Sequence, residues 1–301
     1  MSMIETKDGT RLYAKAWGQG RPVVLIHGWP LSSDSWDPIA NRLADAGFQA
    51  IAYDRRGFGR SDQPTDGYDY DTFADDLSCV MDHFDVTRDA ALVGFSMGGG
   101  EVARYMSRHD GRGVTQVALI SSVVPFMPRD LSNPDGVPPD MFDEMERGIL
   151  ADRAHFFSGF FKQFFGVGLL ERPVSAEVLD HMRALAMQAG LRPTLMAARA
   201  FANTDFRGDL PSLSVPTLVV HGTADKTVPI AATAHQVVRR VPRATLVEYD
   251  GEPHGVFATQ TRRLGNDLIA FLDGNLAAVE QVDRQQAIDE MTARMVVAPT
   301  L

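Results

Sequence analysis

An apolar run, Ala90–Phe95, ends in the stretch Gly94-Phe95-Ser96-Met97-Gly98, and a helical run follows over Met97–Ser107. Few chains can accommodate that junction. It puts a serine at a sharp turn from strand to helix, and the flanking glycines let a strained backbone pack closely there. The strand before it must also be buried, because Ala91-Leu92-Val93 carries no polar face.

The rest of the first half repeats the same rhythm. Met3–Thr6 reads as a short strand and Arg11–Trp17 as an edge strand. Val23–Ile26 is wholly apolar, as a buried parallel strand should be. A helix is expected over Ser33–Ala46, a strand over Phe48–Tyr53, a helix over Tyr70–Phe84 and a strand over Val114–Ser121. Alternation of this kind predicts an α/β fold, a parallel sheet with helices on both faces.

The rhythm stops after Val124. Residues 125–209 hold proline and glycine clusters and helical stretches such as Met141–Phe165 and Ser175–Ala189, with no buried-strand pattern. They read as a helical cap inserted into the sheet domain. Strands return at Pro216–His221 and Ala244–Tyr249, with helices over Ile230–Arg240 and Val256–Leu272. The expected division is a core of 1–124 and 210–274, a cap of 125–209, and an additional polar helix over 275–301.

Bulk properties remove several function classes. The net charge of −10 argues against a nucleic-acid or anionic-membrane partner. No apolar run reaches the roughly 20 residues a membrane span requires, and the start carries no basic-then-apolar leader. One cysteine, Cys79, fits a reducing cytoplasm. The histidines outside the motifs below show no metal-ligand spacing, so no metal site is expected.

A serine hydroxyl needs a base to become a nucleophile. Ser96 is the candidate nucleophile, and its partners should follow in the order acid, then histidine. Asp225 stands just past the strand at 216–221, and His254 just past the strand at 244–249. Strand C-terminal ends are where open α/β sheets bind ligands. Asp250 is a rival acid, but it lies too close in sequence to His254 to reach its far ring nitrogen. An oxyanion needs two backbone N–H donors. Met97, next to the nucleophile, and Trp29, in His27-Gly28-Trp29-Pro30, are the candidates; Pro30 has no N–H and is expected to be cis. His27 reads as a residue that holds this loop. Trp29, Phe95 and Met97 could line an apolar pocket together with cap phenylalanines.

Four stretches together, His27–Pro30, Tyr53-Asp54-Arg55-Arg56-Gly57-Phe58-Gly59-Arg60-Ser61, Gly94–Gly100 and Pro253-His254-Gly255, resemble those of bacterial cofactor-free haloperoxidases. That family overlaps with aryl esterases and perhydrolases of the α/β-hydrolase superfamily. The resemblance covers about residues 3–273. It implies an eight-stranded, mostly parallel sheet, a Ser–Asp–His triad, and no haem or metal. It implies acyl transfer from small carboxylic esters or acids, with water or hydrogen peroxide as acceptor, and a homo-oligomer. Phe142, Phe160, Phe164 and Phe201 are the substrate-binding rings it points to. Lactone or lactam hydrolysis uses the same triad. A slow-turnover sensor is the alternative of another class. Epoxide hydrolysis and dehalogenation need a carboxylate nucleophile, which serine at 96 rules out.

Overall fold

A computed structural model describes residues 1–275 of the chain. Among the described residues one sheet of eight strands forms, ordered β1-β2-β4-β3-β5-β6-β7-β8. The strands are β1 (Ser2–Glu5), β2 (Arg11–Trp17), β3 (Arg21–Ile26), β4 (Phe48–Tyr53), β5 (Ala90–Phe95), β6 (Val114–Ile120), β7 (Thr217–Gly222) and β8 (Ala244–Tyr249). The β1–β2 and β2–β4 pairs are antiparallel and all others parallel. β2 is not the edge: β1 covers it, with Ser2 opposite Ala14 and Glu5 opposite Arg11. Every residue of β5 is buried, which is why its sequence lacks alternation.

The chain runs from β3 to β4 on one side, then returns to place β5 on the other side of β3. Strand order therefore reverses between β3 and β5, and a crevice opens beyond their C-terminal ends. The segment after β3 begins at His27 and the turn after β5 at Ser96, so both motifs meet at this reversal.

Helices flank the sheet: α1 (Asp37–Asp45), α2 (Tyr70–His83), α3 (Met97–Arg108), α7 (Ala234–Arg240), α8 (Val256–Thr259) and α9 (Thr261–Leu272). The helix expected over 33–46 is a 3-10 turn, Ser33–Trp36, followed by α1. Pro38 explains the division, since a proline is tolerated in a first turn but not inside a continuous helix. The helix expected over 256–272 breaks at Gln260, whose ψ of 37° is not helical.

Residues 125–209 contribute no strand to the sheet. They form α4 (Pro139–Phe164), α5 (Ala176–Gln188) and α6 (Leu191–Asn203). α4 is interrupted at Asp152, whose backbone is extended and whose carboxylate accepts from His155 N–H at 2.9 Å, capping the second half. α6 is not evident in the sequence because Gly190 and Pro193 stand at its start. Pro193 falls in the first turn, where its missing N–H costs nothing. The extension expected over 275–301 lies, from 276 onward, outside the described residues.

Candidate active site

The turn at Ser96 is as tight as its sequence demands. Ser96 has φ 54° and ψ −119°, and α3 starts at the next residue. A β-carbon at position 94 would stand 2.5 Å from the Gly98 carbonyl oxygen, and one at position 98 would stand 2.4 Å from that of Ile26. Only glycine fits either place. Ser96 N–H donates to the Ile120 carbonyl at 2.8 Å, and its own carbonyl accepts from Gly99 N–H at 3.0 Å. These bonds hold a backbone conformation that serine rarely adopts.

Ser96, His254 and Asp225 come together although 158 and 29 residues separate the successive pairs. Asp225 Oδ2 is 2.6 Å from His254 Nδ1. A carboxylate can only accept, so Nδ1 carries the proton and Nε2 is left bare. Ser96 Oγ–H donates to that nitrogen at 2.9 Å. The rival Asp250 instead accepts from Thr223 Oγ1, at 3.2 Å.

Asp225 is buried, which by itself would raise its pKa. The His254 ring, with hydrogen bonds from His221 and His254, outweighs this and holds the carboxyl below the ordinary carboxylate range. Its other oxygen accepts from Thr227 and Val228 N–H, each at 2.8 Å. His221 was not singled out by its spacing, yet its Nε2 stands 3.2 Å from Asp225 Oδ2. Its only signal was its place in β7 four residues before Asp225, on the strand that carries the acid.

The loop after β3 runs against the serine. A β-carbon at Gly28 would meet Ser96 Cβ at 2.9 Å. Trp29 follows, with its Nε1–H donating to the Thr194 carbonyl on α6 at 3.0 Å. The Trp29–Pro30 peptide is cis. His27 is buried, and its pKa is pushed down to about 3, first by burial and then by the Arg55 charge. It is therefore neutral: its Nδ1 faces Gly28 O at 2.9 Å, and its Nε2 accepts from Arg55 N–H at 3.0 Å. Arg55 in turn donates to the His27 carbonyl at 2.9 Å and to Glu101 of α3 at 2.7 Å. This buried ion pair ties the loop to the helix that begins at Met97.

A cavity of about 540 Å³ opens onto Ser96 and His254. Trp29, Phe142, Phe160 and Phe201 line it, as does Phe156. Phe95, Phe164 and Met97 do not. Phe95 and Phe164 are buried behind His254, with ring centroids 5.1 and 4.7 Å from the imidazole. Phe95 ends a strand whose residues are all enclosed, and Phe164 points into the ring cluster with Phe257 and Phe165. Both rings contact the imidazole and lie outside the cavity lining. Met127, Met141 and Met145 also line the wall. The four-residue spacing of the last two on α4 is the signal that could have found them. Among the described residues, no helix is long and apolar enough to cross a membrane, and no cluster of three His, Cys, Asp or Glu could hold a metal.

A hydrogen-bonded serine, imidazole and carboxylate at a sheet reversal, facing an apolar cavity, can carry out nucleophilic acyl transfer. The family model for the alpha/beta hydrolase fold matches residues 21–261. The chain belongs to the α/β-hydrolase family. Within it, the chain is 41% identical to the non-heme chloroperoxidase CPO-A1 of Kitasatospora aureofaciens, over 91% of this chain and all of that protein. It is 37% identical to the bifunctional esterase/perhydrolase DCH of Acinetobacter calcoaceticus, over 90% of this chain and 99% of that one. The solved bromoperoxidase from Bacillus anthracis superposes on this α/β-hydrolase with a TM-score of 0.87 at 37% identity, covering 90% of this chain and 99% of its own.

Proposed function

We propose that this α/β-hydrolase cleaves carboxylic esters of small acids through an acyl-enzyme on Ser96, and that hydrogen peroxide as well as water can take the acyl group from it. The observation that carries this reading is the unbroken chain Ser96 Oγ to His254 Nε2, 2.9 Å, and His254 Nδ1 to Asp225 Oδ2, 2.6 Å, at the floor of an aromatic cavity.

In the first half-reaction His254 removes the Ser96 proton as Oγ attacks the ester carbonyl. The oxyanion forms beside the backbone N–H groups of Trp29 and Met97, and Asp225 stabilises the imidazolium. Collapse expels the alcohol, which takes the proton from His254. In the second half-reaction His254 takes a proton from water or peroxide as its oxygen attacks the acyl carbonyl; the bond to Ser96 Oγ breaks, His254 returns the proton to Oγ, and the acid or the peracid leaves. Released peracid can oxidise a halide and return to the acid. The similarity to an esterase/perhydrolase supports this pair of outcomes.

Residues 125–209 act in this reading as a cap whose aromatic rings select the acyl and alcohol groups. A homo-oligomeric state and a cytoplasmic location belong to the same reading. Light scattering of the full chain and of a chain ending at Gly274 tests the first; equal monomeric mass for both would remove it. For the activity, release of p-nitrophenol from its acetate is expected. Bromination of a dye in acetate, bromide and peroxide should depend on the enzyme. Absence of the first defeats the hydrolase reading. Absence of the second restricts it to hydrolysis.

A further inference from the structure

We propose that His221 is a positioning residue for the Ser96–His254–Asp225 chain. It shares one N–H between the Val228 carbonyl and Asp225, and so limits how strongly Asp225 holds the proton on His254. This inference rests on the ester-cleaving role proposed above.

His221 lies in β7 and is wholly buried. Its Nε2 is 2.8 Å from Val228 O and 3.2 Å from Asp225 Oδ2. Its Nδ1 is buried with no hydrogen-bond partner among the described residues. A carbonyl can only accept, so Nε2 carries the proton. A second proton, on Nδ1, would be enclosed without an acceptor, so the ring is neutral. The surroundings thus select a single tautomer.

Asp225 Oδ1 is occupied by the N–H groups of Thr227 and Val228. Oδ2 is left to two imidazoles, His254 at 2.6 Å and His221 at 3.2 Å. A donor from His221 draws negative charge from the oxygen that His254 uses. The imidazolium form of His254 depends on that oxygen more than the neutral form does. Weakening the acceptor therefore disfavours the imidazolium relative to the neutral ring. His221 also grips Val228 O while Asp225 grips Val228 N–H, so the turn carrying the acid is held from both ends.

The remaining groups around His254 stay the same in any His221 variant. Ser96 faces it from the β5–α3 turn, and the Phe95 and Phe164 rings are uncharged. Glu252 on its own loop is engaged by Thr259 and Gln260. Across the cavity stand Arg129, Asp135, Glu144, His155 and Lys226, all exposed.

The test is the pH profile of kcat/KM for p-nitrophenyl acetate, in wild type, His221→Leu and His221→Gln. Leucine removes the N–H, and the acid limb should move upward by about 0.5–1 in pH. Glutamine offers an N–H in the place of Nε2 and should restore the wild-type limb. A folded His221→Leu enzyme with an unmoved limb overturns the proposal. Equal loss of kcat in both variants without movement of the limb assigns His221 a structural role only, and overturns it as well. Should the leucine variant not fold, ¹⁵N NMR of the wild type decides. His221 should show a neutral ring with the proton on Nε2, and a charged ring or an Nδ1–H form defeats the proposal. If the wild type releases no p-nitrophenol, it is the parent reading that fails.

Discussion

The two sides of the cavity are built differently. The floor belongs to the sheet: Ser96, Asp225 and His254 follow strands, are almost wholly buried, and are fixed by hydrogen bonds between 2.6 and 2.9 Å. The wall belongs to residues 125–209. Beside a few exposed charged residues, it presents rings and thioethers, Phe142, Phe156, Phe160 and Met145 among them, that are only partly buried and carry few directional bonds. One indole joins the halves, with Trp29 bonded to α6 and in ring contact with Phe157, Phe160 and Phe201. The contrast separates rate from selectivity. Directional bonds can hold reacting atoms within a few tenths of an ångström, whereas apolar packing tolerates changes of shape and discriminates by area.

Substitutions on the floor should therefore act on kcat, and substitutions on the wall on KM. The largest effect is expected for Ser96→Ala, a loss of about 10⁶ in kcat on p-nitrophenyl acetate. Retention of more than a small fraction of turnover by pure protein would remove Ser96 from the chemistry. Asp225→Asn should cost about 10⁴ in kcat, because an amide can present an N–H to His254 and stabilise the wrong tautomer. Steady-state kinetics with unchanged circular dichroism checks this. On the wall, Phe160→Ala should raise KM for aryl esters roughly tenfold, change kcat little, and affect methyl acetate less. A fall in kcat of the size seen on the floor would erase the distinction between the two sides.

The smallest effect sharpens the contrast within the sheet half. Asp267, like Asp225, is a buried carboxylate, but among the described residues only Tyr249 donates to it closely, at 2.6 Å, and its Oδ1 has no partner there. Burial therefore prevails, over the Tyr249 bond and the Arg263 charge, and pushes its pKa up to about 6. A raised carboxyl stabilises the fold below its unfolded value, near 3.9, and loses that contribution as pH rises through about 6. Asp267→Asn should leave stability at pH 4 nearly unchanged and raise it by about 2 kcal/mol at pH 8. Thermal unfolding at the two pH values measures this; equal shifts at both would mean that the charge is not the cause.

Much of the floor was legible in the chain. Gly94 and Gly98 flank the serine because a β-carbon at either place would strike backbone, so the turn is written in residue type. Asp225 and His254 follow apolar strand runs, so their positions could be counted. The wall was less legible. Phe164 and Phe160 both face inward from α4, yet only Phe160 lines the cavity while Phe164 backs His254. Composition treats the two rings alike; only their direction against the sheet separates them. His221 was missed for the same reason, since nothing in a buried strand residue tells which neighbour its ring nitrogen meets.

Local sequence thus determined the strands, the serine turn and the places of Asp225 and His254 after their strands, because those depend on steric limits and on the period of apolar residues along a few positions. Tertiary structure decided which rings form the wall and that a second histidine reaches Asp225. Those are distances between atoms far apart in the chain, and they exist only once β7, β8 and α4 are packed against the same end of the sheet.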